Sequence, residues 1–373
     1  MHPPRYPLFG GITLANLLWA TLLCFGFVGV LFLLTRFLPG PIRLGSPLAD
    51  DTRKHYKLTG LTLFSGTTVL VAVSTLLFHL SLAPLVSLFW PLFLVANVAA
   101  FVWTGVLSVQ GRRKRERAGG SETSKRSVLQ DFWLGSELNP TWLGVDLKGF
   151  AYQPSLIGLA LLNAAFAYQQ YAAYGRLSTQ MILYQVFWWV YLLSHYWYEE
   201  FMLTTWDILA ENFGLMLVWG DRVLVPFFYS IGGWFLIDQE GPLPVPAILE
   251  LALLYLFGLS LLRGANAQKH RFKQNAHARI WGKPAQALKG KLLVSGRWGI
   301  GRKLNYSGEI CVYLSIALTT GFGSIVPYLL PLWLFLLLVQ RAACDDQRCR
   351  SKYGPLWDAY CARARFRMIP FLY

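Results

Sequence analysis

Acidic residues inside an apolar stretch are the first candidates for chemistry in this sequence. Five acids fall between residues 199 and 221, where most of the neighbouring side chains are apolar or aromatic. Ionisable groups in such segments are costly, and they tend to mark functional sites. Glu200, Asp207 and Glu211 are spaced seven and four residues apart, which predicts one shared helix face. We interpret them either as a polar chamber or proton path for a substrate, or as an interfacial stripe paired with Arg222.

A second candidate group is basic and aromatic, and it lies in the last third of the chain. Its members are Lys269, Lys273, Arg297, Trp298, Arg302, Tyr306, Arg341, Arg348 and Arg350. Lysine and arginine bind phosphate groups, and tryptophan or tyrosine can stack on a planar ring. The pattern is consistent with a nucleotide site, and equally with contact to lipid headgroups.

Short motifs argue against several other chemistries. No GxGxxG follows a strand, and HExxH and GxSxG are absent. The glycine-rich run 296–301 is followed by Arg302 and Lys303, where a phosphate loop requires Lys and then Ser or Thr. The five cysteines form no CxxC pair and have no histidine at zinc spacing. We therefore expect no metal site.

The composition indicates which elements must position these residues. Hydrophobic residues make up 55% of the 373 residues and charged residues 14%, whereas soluble domains carry about 25% charged residues. The 15 tryptophans suit the two faces of a bilayer. A net charge of +15 would suggest nucleic acid for a soluble protein, but here it indicates a basic cytoplasmic surface and no nucleic-acid partner. We predict an all-α polytopic membrane protein.

Apolar segments of about 20 residues predict the transmembrane helices. They cover residues 9–34, two spans within 58–110 that are separated near 79–84, then 152–175, 177–198, part of 199–236, 244–262 and 310–340. The last segment has no charge for 31 residues, and Gly321, Gly323 and Pro327 favour a tight helical hairpin within it. The total is about 9–10 transmembrane helices.

The distribution of basic residues predicts the orientation. If residues 35–57, 110–151, 263–309 and 341–373 share one side of the membrane, that side holds 31 of the 34 Lys and Arg residues. Basic segments remain cytoplasmic, so we place these four in the cytoplasm and the N-terminus outside. Within them, residues 111–126 are charge-dense and predict a flexible loop.

Five blocks of residues follow one another through the last two thirds of the chain. They are GSELNP from Gly135, LTTWD from Leu203 with Asp221 and Tyr229, NAQK from Asn266, LLVSG from Leu292 with Trp298 and Tyr306, and CRSKYG from Cys349 with Tyr360 and Tyr373. Together they resemble the sterol reductase family, membrane enzymes that reduce carbon–carbon double bonds of sterols with NADPH. The resemblance implies transmembrane helices and a basic loop over 1–126, a catalytic region over 127–373, and a cytoplasmic-facing NADPH pocket in the C-terminal half.

The resemblance also implies roles for single residues. The positions that match the NADPH-contacting set are Lys269, Leu293, Trp298, Asn305, Tyr306, Asp345, Cys349, Arg350, Ser351, Lys352, Tyr353 and Tyr360. Lys273 stands where an arginine is usual, and we expect it to join Lys269 at the 2′-phosphate of NADPH. Tyr191 occupies the place of a tyrosine near the nicotinamide. Ala342 and Cys344 depart from the tail motif of the family.

An isolated alkene must be protonated before it accepts hydride, so the site needs a buried proton donor. We expect Tyr191, Tyr360 and Asp345 to fill this role, with the acidic face described above in the substrate pocket. The reduced double bond stays open between ring positions 14 and 7 and side-chain position 24. Two alternatives are an isoprenylcysteine methyltransferase-like membrane enzyme and a non-catalytic sterol-binding or transport protein.

The expected partners are a sterol substrate and the surrounding membrane lipids. The expected location is the cytoplasmic membrane of a bacterium or the endoplasmic reticulum of a eukaryote.

Overall fold

The computed structural model describes residues 9–47, 52–117, 126–239, 241–275 and 277–369, which form a predominantly helical chain. The helices are α1 Leu14–Phe37, α2 Gly60–Leu77, α3 Ala83–Ser87, α4 Phe89–Arg117, α5 Val128–Leu134, α6 Leu147–Tyr174, α7 Thr179–Trp197, α8 Trp206–Leu209, α9 Leu215–Trp219, α10 Ile231–Leu236, α11 Val245–Gln274, α12 Arg297–Ile300, α13 Leu304–Leu318, α14 Val326–Tyr353 and α15 Pro355–Arg363. A 3-10 helix covers Glu199–Thr204 and a π-helical stretch covers Gly220–Phe228.

The strands are short and form four separate antiparallel hairpins. They are β1 Ile42–Leu44 with β2 His55–Lys57, β3 Thr141–Trp142 with β4 Val145–Asp146, β5 Arg279–Ile280 with β6 Lys283–Pro284, and β7 Ala287–Leu288 with β8 Leu292–Leu293. All of them lie in the connections between long helices, so the fold class remains helical as predicted.

In the described part of the chain, seven helical segments are long and apolar enough to cross a membrane. They are Leu14–Phe37, Gly60–Leu77, Phe89–Arg117, Leu147–Tyr174, Leu215–Leu236, Val245–Gln274 and Val326–Tyr353. The predicted polytopic membrane protein is thereby confirmed. Two further predicted spans, α7 with 19 residues and α13 with 15, fall outside these seven. Counting them gives nine.

The predicted hairpin in residues 310–340 is present. Helix α13 ends at Leu318, α14 begins at Val326, and Gly321 between them has φ +66°. Glycine adopts this left-handed conformation without steric cost, which is why the chain can reverse there. The break predicted near 79–84 is also found, between α2 and α3, where His79 has φ 52°.

The loop predicted over residues 111–126 is partly wrong, because α4 continues as a helix to Arg117. Lysine and arginine are good helix formers and are favourable near a helix C-terminus. Ion pairs hold this end: Arg115 lies 3.1 Å from the buried carboxylate of Asp131, and Lys114 lies 2.9 Å from Glu137. Residues 118–125 of the predicted loop lie outside the described residues.

The chain forms two compact units. The first comprises Met1–Leu177 with Trp188–Glu240, and the second comprises Ser178–Phe187 with Gly241–Tyr373. The functional division at residue 126 is a separate prediction that these units do not test.

Helix α6 is the core of the first unit. Of its most apolar 18 residues, 72% are buried, whereas the other six candidate spans have 17–50% buried. The helix starts where Asp146 accepts a hydrogen bond from the Gly149 amide at 2.7 Å, which caps its N-terminus. The remaining helices of this unit are therefore held chiefly by packing around α6.

In the second unit, α11 and α13 pack backbone against backbone. An added Cβ at Gly308 would lie 2.5 Å from the Gly258 carbonyl oxygen, and one at Gly258 would lie 2.7 Å from that of Gly308. Nearby on α11, the Tyr255 hydroxyl donates to the Phe187 carbonyl at 2.6 Å, and the two rings stack at 4.2 Å. This pair of helices carries Lys269 and Lys273 on α11 and Asn305 and Tyr306 on α13.

Candidate functional site

Trp298 is the centre of the C-terminal cluster in the second unit. Its indole nitrogen donates to the Ala265 carbonyl at 2.7 Å, which fixes α12 against α11. The Lys269 ammonium lies 5.2 Å from the centroid of the Trp298 ring, a cation–π contact. The Tyr360 hydroxyl donates to the Trp298 carbonyl at 3.2 Å. The structure thus brings together three residues predicted to contact the cofactor. Trp298 and Tyr360 are buried, and Lys269 is partly buried.

Lys303 and Asp345 form a salt bridge beside this cluster. The side chains are 9% and 22% exposed, so water screens the pair only weakly. Burial opposes the charge on Lys303, but the Asp345 carboxylate and its hydrogen bond outweigh burial, and the pKa of Lys303 is raised. The same ammonium lies 5.7 Å from the Tyr306 ring centroid. The Asp345 carboxylate is therefore already paired with a cation.

Two further predicted residues line the same region. Leu293 is buried in an apolar cluster with Trp298 and residues of α11. Asn305 has a buried side-chain oxygen for which the described residues offer no hydrogen-bond partner. A buried unsatisfied acceptor costs about 1–3 kcal/mol, so this oxygen is a candidate ligand contact.

The run from Cys349 to Tyr353 ends helix α14 and divides into two faces. Cys349 and Tyr353 pack on the cluster that contains Trp357 and Tyr360. Arg350, Ser351 and Lys352 are exposed, and their partners are local: Arg350 lies 3.4 Å from Asp358, and the Ser351 hydroxyl donates to the Gln347 carbonyl at 3.1 Å. Lys273 is exposed as well. These four polar residues are not part of the buried cluster.

Asp346 was not predicted as a site residue, although it anchors the C-terminal segment. Its carboxylate lies 2.6 Å from Arg367 and 3.5 Å from Arg302. Arg302 also donates to the carbonyls of Ala364 and Arg365, at 2.7 and 3.1 Å. The two consecutive acids at 345 and 346, in a region rich in arginine, were the signal available in the sequence.

Tyr191 belongs to the first unit and lies on α7. It is 7% exposed and meets the Trp188 ring edge to face at 5.8 Å. Trp188 in turn stacks on Tyr229 at 6.0 Å. Tyr191 is therefore buried inside this unit, and its role in catalysis stays a prediction.

The single helix face predicted for Glu200, Asp207 and Glu211 is wrong. Glu200 is in the 3-10 helix, Asp207 is in α8, and Glu211 follows the end of that short helix. The break occurs because Thr205 is extended, with φ −77° and ψ 159°, and Ala210 leaves the helical region at φ −141°. Glu200 is half-exposed and pairs with Arg43 at 3.4 Å.

A buried lysine that sequence reasoning missed holds this irregular segment. Lys148 is 1% exposed, and its ammonium donates to the carbonyls of Asp207 and Glu211, both at 2.5 Å. The Tyr152 hydroxyl donates to the Asp207 carboxylate at 3.1 Å. Lys148 in the first turn of an apolar helix was the available signal, because a lysine there needs a buried partner.

Glu199, the neighbour of Glu200, has a carboxylate that bonds to two helices. Its carboxylate accepts hydrogen bonds from the Gly60 amide at 3.0 Å and from the Gln153 side chain at 3.1 Å. Burial raises the pKa of Glu199, and these hydrogen bonds oppose the rise. It therefore connects the start of α2 to α6.

Comparison with known proteins gives one family and several curated relatives. Residues 2–373 match the model of the "Ergosterol biosynthesis ERG4/ERG24 family". The chain is 38% identical to the Delta(14)-sterol reductase of Arabidopsis thaliana, over 97% of this chain and 98% of that protein. It is 36% identical to the Delta(14)-sterol reductase of Methylotuvimicrobium alcaliphilum, over 90% and 79%. It is 29% identical to the 7-dehydrocholesterol reductase of Xenopus laevis, over 96% and 79%.

Proposed function

Since this chain belongs to the ergosterol biosynthesis ERG4/ERG24 family of sterol reductases, we propose that it reduces the double bond at ring position 14 of a sterol with NADPH. Whichever double bond it reduces, the protein is a multi-pass membrane oxidoreductase that acts on a sterol double bond. Position 14 is favoured over 7 because relatives named for position 14 reach 38% identity, whereas the relative named for position 7 reaches 29%.

The buried cluster around Trp298 supports NADPH as the cofactor. Lys269 supplies a cation against an aromatic face, and Asn305 supplies a buried oxygen with no partner among the described residues. Lys269 suits a phosphate, the face of Trp298 suits a planar ring, and the Asn305 oxygen suits an amide donor. When bound, NADPH supplies the hydride. Lys303, fixed by Asp345, would add a second cation.

Tyr191 is the proposed proton donor. A tyrosine in an apolar environment keeps its proton, since desolvation disfavours the phenolate. Tyr360 is less suitable because its hydroxyl already donates to the Trp298 carbonyl. Asp345 forms a salt bridge with Lys303. We therefore assign Tyr360 and Asp345 to the cofactor site.

We propose Asp207 as a member of the relay that returns a proton to Tyr191. The Tyr152 hydroxyl donates to Asp207 at 3.1 Å, and the Tyr152 ring stacks on His195 at 6.4 Å. His195 follows Tyr191 by four residues on α7, so the two side chains share a helix face. We place Glu211 beside this relay through Lys148, and Glu200, paired with Arg43, outside it.

The two alternative functions are not favoured. Neither an isoprenylcysteine methyltransferase-like enzyme nor a non-catalytic sterol-binding protein is among the named relatives given above, and the family model covers almost the whole chain. Loss of cofactor binding in the purified protein would return attention to the non-catalytic alternative.

The proposed function is tested by product analysis. Purified protein is incubated with NADPH and, separately, with three sterols that carry one double bond each at position 14, 7 or 24. We expect the sterol with the bond at position 14 to become heavier by two hydrogen atoms. A product from only one of the other two sterols would refute position 14.

A further inference from the structure

A cavity in the first unit is lined by none of the residues assigned above to cofactor binding or proton transfer. It measures about 260 Å³ and is lined by α1, α3, α4, α6 and the π-helical stretch. Nearly all of its walls are apolar; the polar or ionisable lining side chains are Cys24, Ser155, Asp221 and Arg222. An ionisable pair beside an apolar cavity at membrane depth marks a functional site by default.

Asp221 and Arg222 are adjacent, yet they do not neutralise each other through a direct contact. Among the described residues, neither group has a salt bridge within 4.0 Å or a hydrogen bond to its charged side-chain atoms, although Asp221 is only 9% exposed. The Arg222 guanidinium carbon lies 5.9 Å from the Trp103 ring centroid, which orients the group. The Ser155 hydroxyl, 2% exposed, likewise has no partner among the described residues.

The backbone at this point is unusual. Asp221 and Arg222 stand in the nine-residue π-helical stretch Gly220–Phe228. Such stretches are rare, and they occur frequently at functional sites because they turn side chains out of the regular helical register.

We propose that this cavity binds the hydroxyl-bearing end of a sterol-class lipid, with the hydroxyl between Asp221 and Arg222. A hydroxyl both donates and accepts, so it can donate to the carboxylate and accept from the guanidinium. The choice of a sterol rather than another lipid alcohol rests on the proposed function.

The size of the cavity fits one end of such a lipid. Pockets that enclose whole drug-sized ligands have volumes of about 300–1,000 Å³, so about 260 Å³ accommodates the hydroxyl end and the first rings. The remainder would lie along α1, whose side chains are largely exposed to the lipid, with only 17% of its apolar window buried.

Cys24 provides a reporter inside the cavity of the unmodified protein. A small membrane-permeant thiol reagent is applied with and without a saturated sterol alcohol that cannot be reduced, and each cysteine is read by peptide mass. We expect the alcohol to slow modification of Cys24 at least about tenfold, while exposed Cys344 serves as the internal reference. The same sterol without its hydroxyl should protect weakly. Equal protection by both sterols, or by neither, would overturn the proposal.

A cavity-filling variant gives the matched control. An added Cβ at Gly158 would lie 3.8 Å from Phe27 and Pro226, an ordinary contact, so Gly158→Leu extends into the cavity without a backbone clash. Gly29 on α1 has open space around it. Protection of Cys24 should disappear in Gly158→Leu and persist in Gly29→Leu. Persistence in both variants would refute binding at this cavity.

A photoreactive sterol alcohol provides a second measurement that does not depend on thiol reactivity or on a variant. Crosslinks that excess sterol alcohol displaces should map to α1 or to the π-helical stretch, and crosslinks found only elsewhere would refute the site. Turnover is measured in parallel. Protection without turnover would contradict the proposed function alone, and turnover without protection would contradict this inference alone.

Discussion

At the scale of single residues, the lysines near the proposed cofactor site differ in their contacts and exposure. Lys269 is fixed against Trp298, and Lys303 is fixed by Asp345, whereas Lys273 is exposed at the end of α11. A cation that is exposed and one that is buried contribute differently to phosphate binding, because water screens the first. The resemblance placed Lys269 and Lys273 in one set and could not make this distinction.

Lys269→Ala combined with Lys273→Ala tests the preference for NADPH. The 2′-phosphate distinguishes NADPH from NADH, and a charge-assisted hydrogen bond contributes about 1.5–3 kcal/mol. We expect the KM for NADPH to rise about 10- to 100-fold and the KM for NADH to change little. Lys283→Ala, which removes an exposed lysine of strand β6, is the matched control. Equal losses for both cofactors would remove the lysines from the phosphate role.

Tyr191→Phe tests the proton donor. The variant keeps the ring that packs on Trp188 and removes only the hydroxyl. Loss of a general acid costs about 10²–10⁴-fold in rate, so turnover should fall in that range while NADPH binding is retained. Tyr255→Phe, which removes a hydroxyl bonded to the Phe187 carbonyl, should lower stability slightly and leave turnover unchanged. Turnover of Tyr191→Phe within about threefold of the parent would exclude this role.

At the scale of elements, long apolar helices were predictable and short irregular ones were not. Length and hydropathy determine whether a segment spans a bilayer, so α1, α2, α4, α6, α11 and α14 were identified. The prediction that Glu200, Asp207 and Glu211 share one face required a continuous helix. Long-range hydrogen bonds from Lys148 instead stabilise an irregular backbone there. Lys148 precedes Asp207 by 59 residues and Glu211 by 63. The spacing within a short segment cannot reveal a hydrogen-bond partner so far away in the sequence.

Gly308→Ala tests the contact between α11 and α13. The new methyl group would meet the Gly258 carbonyl at 2.5 Å, so the helices must move apart. Overpacking of this kind costs about 1–3 kcal/mol. We expect a lower unfolding temperature in detergent, measured with a thiol-independent dye. Gly66→Ala in α2, where nothing lies within 4 Å of the added atom, should leave the temperature unchanged or raise it. Equal temperatures for both variants would contradict the close contact.

At the scale of the whole molecule, the charge distribution predicts a topology that the structure itself does not test. With 31 of 34 basic residues on one side, residues 110–151 and 341–373 should both be cytoplasmic. The helical hairpin formed by α13 and α14 agrees with this prediction, because an even number of crossings there returns the chain to the same side.

Accessibility labelling tests the topology. Single tags are placed at Gly119 and after Tyr373, two positions that lie outside the described residues. An impermeant reagent applied to sealed membrane vesicles with the cytoplasmic face outward should reach both tags. A protected tag after Tyr373, together with a reactive tag at Gly119, would contradict the hairpin as a pair of spans.

The most direct measurement of the proposed reaction follows the two hydrogen atoms by isotope. Purified protein reduces a sterol with a double bond at position 14, first with NADPH deuterated at the nicotinamide C4 in ordinary water, then with unlabelled NADPH in heavy water. Donation of a proton by the chain and of a hydride by the cofactor predicts one deuterium in the product of each experiment, on different carbon atoms. A product without deuterium from the cofactor, or no product from this sterol, would contradict the proposed function.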